Sequence, residues 1–356
     1  MKKADGNPVK IGISCGDING IGLEVIMKTF ADNRLLQDCL PILYCSAKAA
    51  TLYRKLVNVS DFSFHLIKDP EEAGSKYLNI INCYDEEIRI DFGKENEGAG
   101  KLAVASLEAA IKDYKEGKID ALVTAPINKH SIQSESFNFP GHTEYLTQTF
   151  QAKESLMVLI SEQLRIATLT GHLPLAKVAS AITQGRIIEK TKVFSKSLQN
   201  DFGIRKPKIA VLALNPHAGD GGVIGDEEQK VIIPSLEKLK EEGMLVMGPY
   251  PADGFFASGN YKNFDGVISM YHDQGLIPFK TLAFETGINF TAGLPVVRTS
   301  PDHGTAYDIA GKYIASENSF RNAVYLAIDI FCKREQHKIL AENPLKINPQ
   351  RRERQN

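Results

Sequence analysis

Three histidines, His172, His217 and His272, each stand just after a short apolar run. They lie in Thr170-Gly171-His172-Leu173-Pro174, in Asn215-Pro216-His217-Ala218-Gly219 and in Tyr271-His272-Asp273-Gln274-Gly275. A fourth, His142, stands in Pro140-Gly141-His142-Thr143-Glu144, beyond the strand-like end Thr124-Ala125-Pro126. In parallel sheets ligands bind at the carboxyl ends of strands, so reactive side chains there carry information. One histidine in such a place is most often a satisfied polar residue. Four of the chain's eight are harder to treat that way. Imidazoles suit Zn, Co, Ni and similar borderline ions. Three protein ligands with an open position make a catalytic rather than a structural metal site. No H-E-x-x-H or C-x-x-C spacing supports the set, so spacing alone leaves it open.

A second group is cationic. Lys280 follows Leu276-Ile277-Pro278-Phe279, Arg298 follows Leu294-Pro295-Val296-Val297, and Asn289 lies between them. Such heads either snorkel at a surface or bind phosphate or carboxylate. Two glycine-rich turns pose a similar choice. Gly16-Asp17-Ile18-Asn19-Gly20-Ile21-Gly22 and Gly219-Asp220-Gly221-Gly222-Val223-Ile224-Gly225 each follow a strand and lead to a helix. That is the setting of an anion cradle, and also of a plain tight turn. The later turn has Ile224 where a dinucleotide fingerprint has its third glycine, and it lacks the Lys-Ser/Thr of a P-loop. Gly22 reads as a residue of close helix–strand packing. Asp253, in Pro249-Tyr250-Pro251-Ala252-Asp253-Gly254, reads most simply as a turn residue. In Asp302-His303-Gly304-Thr305-Ala306-Tyr307-Asp308-Ile309-Ala310-Gly311-Lys312, small residues would let a planar ligand approach the backbone. The plainer reading is a helix start capped by Thr305.

The intervening pattern alternates strand-sized apolar runs with amphipathic stretches. Residues 9–14, 41–44, 119–124, 156–160, 164–169, 208–214 and 266–270 read as strands. Residues 21–30, 47–56, 102–114, 186–198 and 227–241 read as helices. Such alternation implies an α/β architecture with largely parallel sheets covered by helices. A boundary falls near 125–140, which is polar and broken by Pro126, Pro140 and Gly141.

The chain has 356 residues, long enough for two domains, and 43% hydrophobic with 24% charged residues is ordinary for a folded protein. A net charge of −1 offers no basic excess for nucleic acid. No apolar stretch approaches the ~20 residues that span a bilayer. The start, Met1-Lys2-Lys3-Ala4-Asp5-Gly6, has no signal-like apolar run behind it, so a cytoplasmic protein is expected. The five cysteines, at 15, 39, 45, 83 and 332, are odd in number and fit reduced thiols. Cys15 could act as a nucleophile but has no visible partner. Arg351-Arg352-Glu353-Arg354 reads as a solvated end.

Together the motifs resemble a known family. Gly-His-Thr-Glu at 141–144, His-Leu-Pro-Leu at 172–175, Leu-Asn-Pro-His-Ala-Gly at 214–219, Tyr-His-Asp-Gln-Gly-Leu at 271–276 and Arg-Thr-Ser-Pro-Asp-His-Gly-Thr-Ala at 298–306 look like the 4-hydroxythreonine-4-phosphate dehydrogenase, or PdxA, family of pyridoxal 5'-phosphate biosynthesis. The match runs from about residue 9 to about 330. Asp-Ile-Ala-Gly-Lys at 308–312 also resembles the cofactor loop of isocitrate and isopropylmalate dehydrogenases.

The resemblance implies two α/β/α domains flanking a cleft. The first would take residues 1–135 and 305–356, and the second 136–304. It implies a divalent metal on His172, His217 and His272, at a homodimer interface with ligands from both subunits. Zn is the first choice, and Mg, Mn, Co and Ni are alternatives. His142, Thr143, Lys280, Asn289 and Arg298 would bind substrate. His303, Gly304, Thr305, Ala306 and Asp308 would lie near NAD, with NADP the alternative. The implied reaction oxidises and decarboxylates 4-phosphohydroxy-L-threonine to 3-amino-2-oxopropyl phosphate. His217, His272, Lys280, Asp253 and Asp273 are the catalytic candidates. The base stays open among Asp253, Asp273, Lys280 and a water relay.

Two departures stand out. The first turn reads Gly-Asp-Ile-Asn-Gly where the family more often has Gly-Glu-Pro-Ala-Gly, and Pro126-Ile127-Asn128-Lys129-His130 also differs. They keep open a dehydrogenase of 4-phospho-D-threonate or 4-phospho-D-erythronate. A metal-dependent phosphatase and a non-catalytic sensor are more distant rivals.

Overall fold

The computed structural model describes residues 3, 5–56, 62–85, 87, 89–133, 137, 139 and 141–342. Pro140, the expected boundary at 135/136 and the Arg351-Arg352-Glu353-Arg354 tail lie outside the described residues. Strand β1 (Val9–Ser14) leads through the first glycine turn into α1 (Gly22–Ala31). Then come β2 (Cys39–Cys45), α2 (Ala47–Leu56), β3 (Phe64–Ile67), β4 (Leu78–Asn82), α3 (Glu97–Lys115) and β5 (Ala121–Thr124). They are followed by α4 (His142–Thr149), β6 (Leu156–Ile160), β7 (Arg165–Thr168), α5 (Val178–Ala181), α6 (Gln184–Asn200) and β8 (Lys208–Leu212). Next are α7 (Ile233–Glu241), β9 (Leu245–Tyr250), α8 (Ala252–Ala257), β10 (Gly266–Ser269) and α9 (His272–Ala283). Strands β11 (Ile288–Ala292) and β12 (Arg298–Pro301) precede the long α10 (Asn318–Glu342).

Among the described residues twelve strands join one sheet, in the order β3-β4-β2-β1-β5-β12-β11-β6-β7-β10-β8-β9. Antiparallel pairing is confined to β12–β11, β11–β6 and β6–β7, and the remaining pairs are parallel. Every residue of β2 and β5 is buried, as befits strands covered on both faces. Strand β12 lies parallel to β5, with Arg298 opposite Leu122, while β11 continues antiparallel into β6. These two strands therefore carry the sheet from the first half of the chain into the second. Helix α10 returns to pack on β12, β5 and β1.

Local signals explain several elements. Asn96 caps α3 by accepting from the Ala99 N–H, and Leu102, Ala103, Leu107, Ala110 and Ile111 form its buried face. At Gly22 an added Cβ would lie 2.8 Å from the Cys15 carbonyl oxygen, so close helix–strand packing does require glycine there. The α/β pattern is borne out, with element ends shifted by a few residues. Strands β3, β4, β9, β11 and β12 and helices α4, α5, α8, α9 and α10 are not anticipated by the pattern. Polar Asn289 and Arg298 interrupt the apolar pattern of β11 and β12, and Gly275 and Pro278 obscure α9. The helix start at Thr305 is a correction, because the next helix begins only at Asn318. Among the described residues no helix is long and apolar enough to cross a membrane.

Candidate active site

A cavity of about 1340 Å³ opens beside the central strands. His142, Thr143, Lys280, Asn289 and Arg298, the five expected substrate contacts, all line it. Arg298 opens β12 and is 3% exposed. Its Nε and Nη2 donate to Thr124 Oγ1 at 3.0 and 2.6 Å, and its Nη1 donates to Thr291 Oγ1 at 3.2 Å. Neutral hydroxyls fix the fork without neutralising it. No carboxylate forms an ion pair with Arg298 among the described residues. Burial lowers its pKa to about 10, so it stays charged at neutral pH. Glu144, also on the cavity wall, acts on it only through space, and a buried, oriented guanidinium with no carboxylate in contact suits an anion. Thr124 and Thr291 are its supports, and neither was assigned that role from sequence.

His142, the first residue of α4, is also buried. Burial, and then the Arg298 charge, hold its pKa well below the usual histidine value. Arg298 Nη2 lies 3.3 Å from His142 Nδ1, which must therefore accept. Nε2 then carries the proton, and it has no partner among the described residues. His142 offers a neutral donor rather than a charge. Asn289 Oδ1 is likewise buried without a partner. Orphaned polar atoms around a buried cation mark where a polar ligand would supply the missing bonds.

Elsewhere in the cavity lining, Lys280 of α9 donates to the Asp302 carbonyl at 3.4 Å and lies 3.9 Å from the Asp302 carboxylate. Burial pushes the Asp302 carboxyl up to about 6, against the opposing charges of Lys280 and His272. Asp302 lines the cavity, and the sequence did not single it out. Its only signal was its place beside His303. The His303 Nδ1 lies 3.0 Å from the Gly304 carbonyl and so donates, while Nε2 has no partner among the described residues. His303 and Gly304 line the cavity, whereas Thr305, Ala306 and Asp308 do not.

The three histidines expected to hold a metal divide. His172 and His272 line the cavity with ring centroids 5.7 Å apart. Burial, then Lys129 and His272, lower the His172 pKa, which favours the neutral, ligating form. Asp273 Oδ1 sits 2.7 Å from His272 Nδ1, which orients the ring and leaves Nε2 for a ligand. His217 is exposed and outside the cavity lining. No group of three or more His, Cys, Asp or Glu close enough to hold a metal occurs among the described residues. The imidazole pair thus fits part of a metal site. Asp273 borders the cavity, while Asp253 sits exposed in the first turn of α8, away from it.

His217 belongs to an unusual turn. His217, Ala218, Gly219, Asp220 and Gly221 all have positive φ, between 44° and 78°. Holding a non-glycine residue there costs about 1–3 kcal/mol. The first glycine turn differs. Asp17 is 1% exposed and accepts from the Asn19 N–H at 2.8 Å and the Tyr307 hydroxyl at 2.6 Å. The Ile21 N–H donates to the Thr305 carbonyl at 3.0 Å, and a Cβ at Gly20 would lie 2.6 Å from that oxygen. This turn braces the 303–308 segment from beneath.

Residues 37–327 match the family model described as pyridoxal phosphate biosynthetic protein PdxA. The chain belongs to the PdxA family. A 4-hydroxythreonine-4-phosphate dehydrogenase of Bacteroides thetaiotaomicron is 54% identical over 341 residues, covering 96% of this chain and 93% of its own. A D-threonate 4-phosphate dehydrogenase of Cupriavidus necator is 39% identical over 328 residues, covering 91% of this chain and 98% of its own. The crystal structure of a 4-hydroxythreonine-4-phosphate dehydrogenase from Klebsiella pneumoniae superposes with a TM-score of 0.77 at 33% identity, covering 91% of this chain and all of that one. The chain is therefore a dehydrogenase of the PdxA type, and the α/β fold is the family's own.

Proposed function

We propose that this PdxA-family enzyme oxidises and decarboxylates 4-phosphohydroxy-L-threonine to 3-amino-2-oxopropyl phosphate, in the cytoplasm, with NAD as the hydride acceptor. NADP is the alternative. The observation that carries the reading is Arg298, a buried guanidinium held only by neutral groups on the cavity wall. It is the anchor for a phosphate or carboxylate. Lys280 adds a second positive charge, while Thr143, Asn289 and the neutral His142 add hydrogen bonds. Such fixed contacts orient the reacting carbon toward the cofactor and are already in place before substrate arrives. His303 and Gly304 form the cavity's edge toward Thr305, Ala306 and Asp308, where the nucleotide would lie.

His172, His217 and His272 would hold a divalent metal. Their imidazoles favour Zn, Co or Ni over Mg or Mn. When bound, the metal supplies Lewis acidity that lowers the pKa of the substrate hydroxyl. The position of His217, outside its own chain's cavity, supports a ligand set completed across a homodimer. Apolar side chains near the histidines support the same interface: Leu175 is 73%, Val223 81% and Ile277 65% exposed. Lys280 and Asp273 border the cavity and remain candidates for the base, now joined by Asp302, while Asp253 would have to act from outside it.

The relative from C. necator supports a second reading, oxidation of 4-phospho-D-threonate or 4-phospho-D-erythronate. NADH formation across the three substrates separates the two. The reading expects the highest kcat/KM on 4-phosphohydroxy-L-threonine, and turnover confined to the other two overturns it. Arg298→Ala should mainly raise KM for the phosphorylated substrate, by about 100-fold for a charged contact of ~3 kcal/mol. An unchanged KM removes Arg298 as the anchor.

A further inference from the structure

We infer that Glu228 is a positioning residue for the metal. Acting through Asn215, its buried carboxylate holds the left-handed turn that presents His217. The inference rests on the proposed reading of His217 as a metal ligand.

Glu228 is 0% exposed. Its Oε1 accepts from the backbone N–H groups of Leu214 and Asn215, both at 2.8 Å. Its Oε2 accepts from the Asn215 side-chain amide at 2.9 Å, and the same amide donates to Glu227 at 2.7 Å. No Lys, Arg or His forms an ion pair with Glu228 among the described residues. A buried carboxylate compensated by amide donors alone is an expensive way merely to fill space. Its location explains the choice. The donors all belong to residues 214 and 215, at the end of β8 and just before the turn. Gly219, inside the turn, sits directly over it, and a Cβ there would lie 2.7 Å from Oε2. The turn itself places His217, Ala218 and Asp220 at φ values of 51°, 53° and 44°, which L-residues leave unless something holds them. Glu228 thus grips the entry to the strained segment, and its carboxylate lies close against the middle at Gly219. Acceptor chemistry is required on both oxygens, because each group that bonds them is a donor. A glutamine would point its own NH₂ at the Asn215 NH₂.

The test is a Co²⁺ titration of the metal-free full-length protein, followed by visible absorption and paired with thermal unfolding. His217→Ala is the control for the underlying reading. If it binds Co²⁺ as the wild type does, His217 is no ligand and that reading fails whatever Glu228 does. With the control met, Glu228→Gln should weaken Co²⁺ binding by about 10–100-fold, the range for groups that orient metal ligands. It should change the absorption spectrum, lower kcat and leave KM for NAD unchanged. Should Glu228→Gln fail to fold, Asn215→Ala removes the same bridge without leaving a buried donor pair, and several-fold weaker Co²⁺ binding is expected. A folded Glu228→Gln or Asn215→Ala protein that binds Co²⁺ with wild-type affinity and spectrum overturns the inference.

Discussion

The two glycine-rich turns read alike in sequence, yet they are opposites in the structure. The turn at 16–22 is buried and tied down. Its Asp17 accepts from Tyr307 and Asn19, Asn19 reaches the backbone at Asp91 and Lys94, and Gly20 lies against Thr305. The turn at 217–222 is mostly exposed, and it holds non-glycine residues in left-handed geometry. Glycine in the first turn answers to crowding. Glycine in the second answers mainly to backbone sign, since a Cβ at Gly221 or Gly222 would meet nothing within 4 Å. The same composition thus serves two tasks. One turn braces the 303–308 segment beside the cavity, and the other displays a side chain outward.

The sharpest test of that contrast is a matched pair of alanines. Gly20→Ala drives a Cβ into the Thr305 backbone and should cost about 3 kcal/mol of stability in a denaturant titration. Gly221→Ala meets no neighbour and should cost only about 1 kcal/mol, the strain of its φ of 66°. Equal losses would erase the distinction between crowding and backbone sign. A smaller effect concerns pH. Burial raises the Asp17 pKa, with the Tyr307 and Asn19 hydrogen bonds working against it. The unfolded carboxyl titrates near 3.9, so the native state keeps its proton to higher pH than the unfolded chain. The stability linked to Asp17 is full below that value and is lost as pH rises through the raised one. Asp17→Asn should therefore flatten the fall in stability across that window. An Asp17→Asn curve parallel to the wild type would show that this turn carries no buried charge.

Much of this was legible in the residues. Apolar runs located β1, β2, β5, β6, β7, β8 and β10, and with β7, β8 and β10 the strand ends that carry His172, His217 and His272. The strands that deliver Asn289 and Arg298 were hidden, because the residues that make the site also break the apolar pattern. The lowered Arg298 pKa and the raised Asp302 pKa arise from burial by distant elements, which no local pattern encodes. Nor could spacing show that His172 and His272 meet while His217 stands apart, since the three lie on separate strand ends.

That separation makes the shared metal site the central claim. The most direct test is NADH formation from 4-phosphohydroxy-L-threonine by wild type and His217→Ala, with and without a chelator. His217 is exposed, so the variant should keep wild-type stability to within about 0.5 kcal/mol. Wild-type turnover should vanish with chelator and return when Zn²⁺ or Co²⁺ is restored, and the variant should stay inactive throughout. Full turnover by His217→Ala in the presence of chelator would contradict the account.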